Sequence, residues 1–351
     1  MASNPADGTE TAGIDLGSDL IPYCDHKYNI GIQRSPFDRR NFKAYRQLKR
    51  ILKENRFDLI HCHTPMGGVL TRLAAKKYRK SGTKVLYTAH GFHFYEGGPA
   101  SGWRIYYPIE RHFSRFTDGL ITINSTDYKI AAGRFHAKET YLSKGVGYDE
   151  SRFFMHDREE RGRLRAEYGY GENKILLVYV AELNPDKNQE VLLRMLKSLL
   201  DHVPDAKLLL AGRDATGGHY ESLAYELGID HAVDFLGQRD DIDRIIPMCD
   251  VTTASSIREG LGINLLESMA CGVPVIAAMS NGHRELIQDE ENGLLVPGKD
   301  AEAFAKSVRN LLSDTDMYKK FRENGLITAS QYTTGEAVTT LESIYSECCS
   351  L

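Results

Sequence analysis

Short apolar runs alternate along the chain with longer stretches in which apolar residues recur every three or four positions. The runs at Phe57–His61, Lys84–Thr88, Gly119–Ile123 and Thr140–Ser143 predict strands. So do Lys174–Ala181, Lys207–Ala211, Ala232–Leu236, Val251–Ala254, Val273–Ala277 and Leu294–Val296. The helical spacing between them predicts helices, among them Asn188–His202, Tyr220–Leu227, Asp240–Met248, Gly262–Cys271 and Ala301–Ser313. Strands that are apolar almost throughout are covered on both faces, and strand–helix alternation builds parallel sheets. The expectation is an α/β protein of two Rossmann-like, doubly wound domains. Residues 145–165 lose their periodicity, which places the connection there: a first domain over residues 1–150, a second over 151–329 and a closing helix over 330–351. Folds of this kind bind ligands in the turns that leave the carboxyl ends of their strands.

The chain of 351 residues, 42% hydrophobic and 26% charged, has material for two cores, and no apolar run approaches the roughly 18–20 residues of a membrane span. Its start lacks the basic and apolar segments of a secretion signal. Cys24, Cys62, Cys249, Cys271, Cys348 and Cys349 form no C-x-x-C pair. Both features suit a cytoplasmic protein with reduced thiols. Charge divides the chain: residues 1–150 carry 23 Lys and Arg against 15 Asp and Glu, the remainder 21 against 33. Arg39, Arg40, Lys43, Arg46, Lys49, Arg50 and Lys53 surround Phe42, Tyr45, Leu48, Ile51 and Leu52 at helical spacing, and Arg72, Lys76, Lys77, Arg79, Lys80 and Lys84 form a second basic cluster. A basic amphipathic helix suits either an anionic membrane surface or plain solvent. No nucleic-acid motif accompanies it.

The chemistry concentrates in Ser256–Ala277, which reads as strand end, glycine turn, helix and buried strand. Gly260 and Gly262 let the backbone approach a ligand, and the helix that follows offers free N–H groups to a phosphate. Glu259 and Glu267 stand eight residues apart, one before the turn and one on the helix, with both expected on one side of it.

This stretch resembles the E-x7-E signature of the retaining glycosyltransferases of family four, which have the GT-B fold. The segments Tyr179–Asn188, Leu209–Arg213, Val233–Arg239, Asn281–Glu285 and Asn292–Val296 agree with it, and Ile60–Val69 and Tyr87–Tyr95 resemble the bacterial capsular and exopolysaccharide branch. The resemblance implies a nucleotide-sugar site in which Glu267 holds the ribose hydroxyls and Glu259 the transferred sugar. Lys187 would bind the diphosphate, with backbone N–H groups near Gly260, Leu261 and Gly262. Gly237 to Arg239 would lie beside the base, and His90 would face the donor from the first domain. The sequence departs from the family where an arginine usually precedes the lysine by five residues, because Glu182 stands there. Arg213, Arg239 or Arg258 would then have to substitute.

Asp241 and Asp243 spell D-x-D, but they open an amphipathic helix, where aspartates suit the dipole. His61 with His63, and His90 with His93, lack the partners of a zinc site. Trp103, Tyr106, Tyr107, Ile109 and Phe113 read as core. The resemblance thus implies metal-independent transfer of a hexose or N-acetylhexosamine, with retention, from a nucleotide sugar (UDP expected) to a lipid-linked glycan at the inner face of the plasma membrane. The alternatives are a remnant that only binds nucleotide and, further off, a sugar-nucleotide epimerase. The remnant is motivated by Glu182 and by the start of the chain. There Met1–Pro5 reads like the end of a second strand, as though the first strand, its glycine turn and helix were missing, which predicts either an unstable or inactive product or a misplaced start codon.

Overall fold

The alternating pattern folds as parallel strands joined by helices in a computed structural model that describes residues 2–3, 24–95 and 97–349. The chain forms two compact units, Met1–Ser143 with Leu341–Leu351, and Lys144–Thr340.

The strands of the first unit are β1 (Ala2–Ser3), β2 (Tyr28–Asn29), β3 (Leu59–His63), β4 (Lys84–Ala89), β5 (Gly119–Thr122) and β6 (Glu139–Leu142). A parallel sheet runs in the order β3-β4-β5-β6, and β1 pairs separately with β2. The reading of residues 1–5 as a strand end meets β1 at Ala2–Ser3; Met1, Asn4, Pro5 and any segment ahead of them lie outside the described residues. Val85, Leu86, Tyr87, Leu120 and Ile121 are buried, as uniformly apolar central strands require. Trp103, Tyr106 and Tyr107 pack on a cluster containing Phe92 and Phe94, while Ile109 and Phe113 pack on another around Ala44, Leu48 and Leu70.

In the second unit β7 (Ile175–Val180), β8 (Ala206–Ala211), β9 (Val233–Gly237), β10 (Val251–Ala254), β11 (Val275–Ala278) and β12 (Leu294–Val296) form one parallel sheet in the order β12-β11-β10-β7-β8-β9. The chain passes from β7 outward through β8 to β9, then returns to the other side of β7 with β10. Strand order therefore reverses between β7 and β10, which is where a doubly wound sheet opens a crevice.

Three boundaries differ from expectation. The first unit gives way to the second at Ser143–Lys144. The segment read as a connection contains a helix, Arg158–Glu167, capped by the Asp157 carboxylate on Glu160 N; its buried residues are Leu164 and Arg165, too few to give an apolar period. The helix expected over Asp240–Met248 is one α turn, Ile242–Ile245, continued as a 3-10 turn, because Pro247 supplies no N–H. The closing helix spans Thr334–Cys349, and Ile344 packs with Leu86 and Ile121 of the first unit.

The second basic cluster is not a free basic face. Arg79 pairs with Asp118 at 2.7 Å, and Arg72 is fully buried. Its guanidinium donates to Glu110 Oε2 at 2.9 Å and Gly68 O at 2.9 Å and lies 4.0 Å over the Tyr87 ring, while Tyr87 OH donates to Glu110 Oε1 at 2.9 Å. Removing one member strands the other charge in the core. Glu110→Ala should cost the first unit about 3–5 kcal/mol in urea unfolding, and Arg72→Met/Glu110→Leu should recover most of it.

Candidate functional site

Two turns leave the sheet of the second unit at its reversal point, residues 181–188 after β7 and 255–262 after β10. They are stitched together. Ser255 Oγ donates to Lys187 O at 2.7 Å, Ile257 N to Asp186 O at 2.9 Å, and Arg258 to the Asp186 carboxylate at 2.9 Å. Gly282, at the start of the next helix, donates from its N–H to Glu259 O at 3.1 Å; a Cβ there would meet Leu261 N at 2.6 Å. Gly262 has φ +83° and caps the helix Ile263–Ala270, whose first turn has no side-chain cap and no acidic residue. The N–H groups of such a first turn have no carbonyl acceptor within the helix and can meet an anion.

The structure joins Lys187 and Glu259. The Lys187 ammonium donates to Glu259 Oε2 at 2.5 Å, with both side chains largely buried. Ser256 Oγ donates to the same oxygen at 3.1 Å, and the buried Tyr179 hydroxyl bonds Ser256 Oγ at 2.7 Å. Burial works to raise the Glu259 pKa; the charge and hydrogen bond of Lys187 outweigh it and hold the carboxyl below its usual range, with His283 and Ser256 adding to the effect. Ser256, Tyr179 and His283 were not singled out from the sequence. They lay inside the recognised segments, but hydroxyl and imidazole groups carry no periodic signal.

Glu267, on the helix after the turn, is in a different environment. No hydrogen bond or ion pair reaches its carboxylate among the described residues. Burial pushes its pKa up to about 7, against the nearby Arg152 charge, which lowers it. A half-buried carboxylate without a partner is set up to accept hydrogen bonds from a ligand.

Of the expected substitutes for the missing arginine, each has a partner. Arg213 donates to Glu182 Oε1 at 2.5 Å, and Asn184 to Oε2 at 2.8 Å, so the carboxylate in the arginine's place is neutralised locally. Arg258 pairs with Asp186 and Arg239 with Asp241 at 2.5 Å. Chiefly through Arg239, the Asp241 carboxyl is held down to about 2, and Tyr168 OH also donates to it. Asp243 pairs with Arg152 at 2.9 Å. Both aspartates of the D-x-D are thus engaged by arginines. Gly237 ends β9 with φ +64° and open space around its Cα.

In the first unit His90 follows β4, and its Nε2 lies 3.0 Å from Nδ1 of His63, the last residue of β3. His61 bonds Tyr345 OH and Thr88 Oγ1, each at 2.7 Å. Burial first, then the neighbouring histidines, pushes His61 down to about 4, and burial lowers His63 and His90. At neutral pH all three are neutral imidazoles. Among the described residues no three His, Cys, Asp or Glu side chains form a metal-holding group.

A parallel sheet with a turn-borne lysine–glutamate pair at its reversal point, followed by a glycine-capped helix, places the second unit among doubly wound α/β folds that bind ligands at such a crevice. The family model described as glycosyl transferases group 1 matches residues 160–327, and that of glycosyltransferase family 4 matches residues 22–150. A protein of Bacillus subtilis (strain 168) named EpsD, described as a glycosyltransferase, is 44% identical over 331 residues, covering 94% of this chain and 87% of its own length. The UDP-Gal:alpha-D-GlcNAc-diphosphoundecaprenol alpha-1,3-galactosyltransferase of Escherichia coli is 25% identical, with 78% of this chain and 71% of that protein covered. The crystal structure of Anabaena Alr3699/HepE in complex with UDP-glucose superposes with a TM-score of 0.76 over 93% of this chain and 86% of that one, at 22% identity. The chain belongs to glycosyltransferase family 4, and its fold is GT-B.

The raised pKa of Glu267 has a consequence for stability. Its folded pKa of about 7 lies above the ordinary 4.5, so the folded state holds a proton that the unfolded chain has released. Stability is therefore lost as pH rises between these values, and the loss is complete above about pH 7. Glu267→Gln should exceed wild type in unfolding free energy by about 1–3 kcal/mol at pH 8, with the gap shrinking towards pH 4.5.

Proposed function

We propose that this glycosyltransferase moves a hexose or N-acetylhexosamine, with retention, from a UDP-sugar to a lipid-linked glycan in surface polysaccharide synthesis. The observation that carries the reading is the Lys187–Glu259 pair at the strand-order reversal, 2.5 Å across, on turns that a ligand can reach. Lys187 meets the charge that grows on the departing diphosphate, together with the N–H groups at Gly260, Leu261 and Gly262. Glu259, through its second oxygen, takes a hydroxyl of the transferred sugar, and Glu267 takes the ribose hydroxyls. Gly237 and Arg239 border the base. The proton of the attacking hydroxyl passes to an oxygen of the leaving phosphate on the same face. The reading gives no role to a metal ion. UDP is supported by the name of the Escherichia coli relative and the UDP-glucose bound to the Anabaena protein, and the diphosphoundecaprenol in the former name supports a lipid-linked acceptor.

We place the enzyme in the cytoplasm, held at the inner membrane face by the helix Arg40–Glu54. That helix buries Asn41, Ala44, Leu48 and Leu52 and turns Phe42, Arg46, Lys49 and Lys53 outward; Phe37 just before it is 79% exposed. Cations around exposed aromatic rings suit an anionic lipid surface. No helix among the described residues is long and apolar enough to cross a membrane.

A second reading, a chain that binds nucleotide without transferring sugar, is favoured by Glu182 at the arginine's place. Labelled UDP-sugars incubated with the protein and isolated membrane lipids decide between the two. Transfer to lipid supports the first, and UDP binding with no transfer from any common donor supports the second. Where transfer occurs, Lys187→Ala and Glu259→Ala should each lower kcat by about 100-fold or more. In sedimentation with anionic vesicles, Arg46→Glu/Lys49→Glu should weaken binding at least ~10-fold, at about 1 kcal/mol for each charge near the surface.

A further inference from the structure

His283 is fully buried beneath the turn that carries Glu259. Its Nδ1 lies 2.7 Å from Ala278 O at the end of β11. A carbonyl only accepts, so Nδ1 carries the proton and Nε2 presents a bare lone pair. That Nε2 is buried and has no hydrogen-bond partner. A buried polar atom left unsatisfied costs stability, so its retention calls for a reason.

The surroundings supply one. The imidazole edge and the Glu259 side chain converge on Gly262: a Cβ built there would stand 3.3 Å from His283 Cδ2 and 3.7 Å from Glu259 Cγ. The residue before His283 is bonded to the backbone of Glu259. The charged groups whose fields reach the ring are Glu259 and Lys187, from the two turns of the site. Burial keeps the imidazole neutral while Lys187 is present, although Glu259 favours the protonated form. Lys187 and His283 are thus two cationic partners for one carboxylate, and the structure shows the state in which Lys187 holds it.

We propose that His283 is a positioning residue of the donor site: when a nucleoside diphosphate draws Lys187 from Glu259, Nε2 of His283 takes a proton from solvent and becomes the counter-charge of Glu259. The inference rests on the donor-site reading of Lys187. The step moves one proton from water to Nε2 and makes or breaks no bond of the donor. It keeps Glu259 ionised and anchored from below, so that its other oxygen still meets the sugar.

Calorimetry of UDP binding at pH 7, in buffers of different ionisation enthalpy, counts the protons exchanged. Wild type should take up about one proton more than His283→Asn, in which an amide N–H still serves Ala278 O but Nε2 is gone. Glu259→Gln removes the charge that holds the proton and should lose the same uptake with His283 in place, so the test does not depend on one variant folding. Protons exchanged at Glu267 are common to all three proteins and cancel in the difference. An uptake in Glu259→Gln equal to wild type overturns the proposal, as does equal uptake in a folded His283→Asn. Failure of wild type to bind UDP overturns the donor-site reading itself, and this inference with it.

Discussion

Two opposite charges, Lys187 and Glu259, meet at 2.5 Å where the second sheet reverses its strand order, and much of the local structure serves to bring them there. Neither is well solvated, so each needs the other: an isolated buried ammonium or carboxylate would cost several kcal/mol. The pair can form only if the turns after β7 and β10 keep their register. The bonds from Ser255, Ile257 and Arg258 to residues 186 and 187 enforce that register. They connect backbone and side chains within the turns themselves, so the spacing holds even when the ammonium moves.

Close backbone approach is the second requirement, and it decides which positions must be glycine. At Gly212 a Cβ would fall 1.9 Å from Ala181 O, so the turns after β7 and β8 could not pack with any side chain there. At Gly282 the conflict is with the backbone of residues 259–261. These contacts press four turns together in two pairs at one end of the sheet, those after β7 and β8 and those after β10 and β11. The rigidity that results would offer the proposed diphosphate fixed donors, which is what stabilises charge at little reorganisation cost.

The ten expected strands were legible because central parallel strands are buried on both faces: Val251–Ala254 and Leu294–Val296 fall where expected and the other eight within two residues, while the short β2 at Tyr28–Asn29 was not expected. The two turns that meet at the strand-order reversal were singled out through glycine spacing and family resemblance. What stayed hidden depends on partners distant in sequence. That Lys187 and Glu259 would bond each other, 72 positions apart, follows only from the crossing of the chain at β10. Arg72 reads as a surface cation among other cations, and its burial depends on Glu110, 38 residues away on another helix. Arg158–Glu167 escaped notice because a helix that buries two side chains has almost no period to detect.

The same logic bears on Glu182. In the family pattern an arginine there would add a positive charge for the diphosphate. Here Glu182 takes Arg213 from the turn after β8, so the two together contribute no net charge. Lys187 is left as the principal cation, and it is already committed to Glu259. On the proposed reading, a diphosphate would recruit it only by offering more than Glu259 does, and what Glu259 lost would have to be made good from elsewhere for the site to stay ordered. Among the described residues, a buried group beside Glu259 that can change charge is the imidazole of His283, whose Nε2 is unpartnered. On that proposal, a glutamate in place of a fixed arginine and a titratable base beneath Glu259 would be two parts of one charge balance. A site with a permanent cation at position 182 would have less need of a proton to complete it.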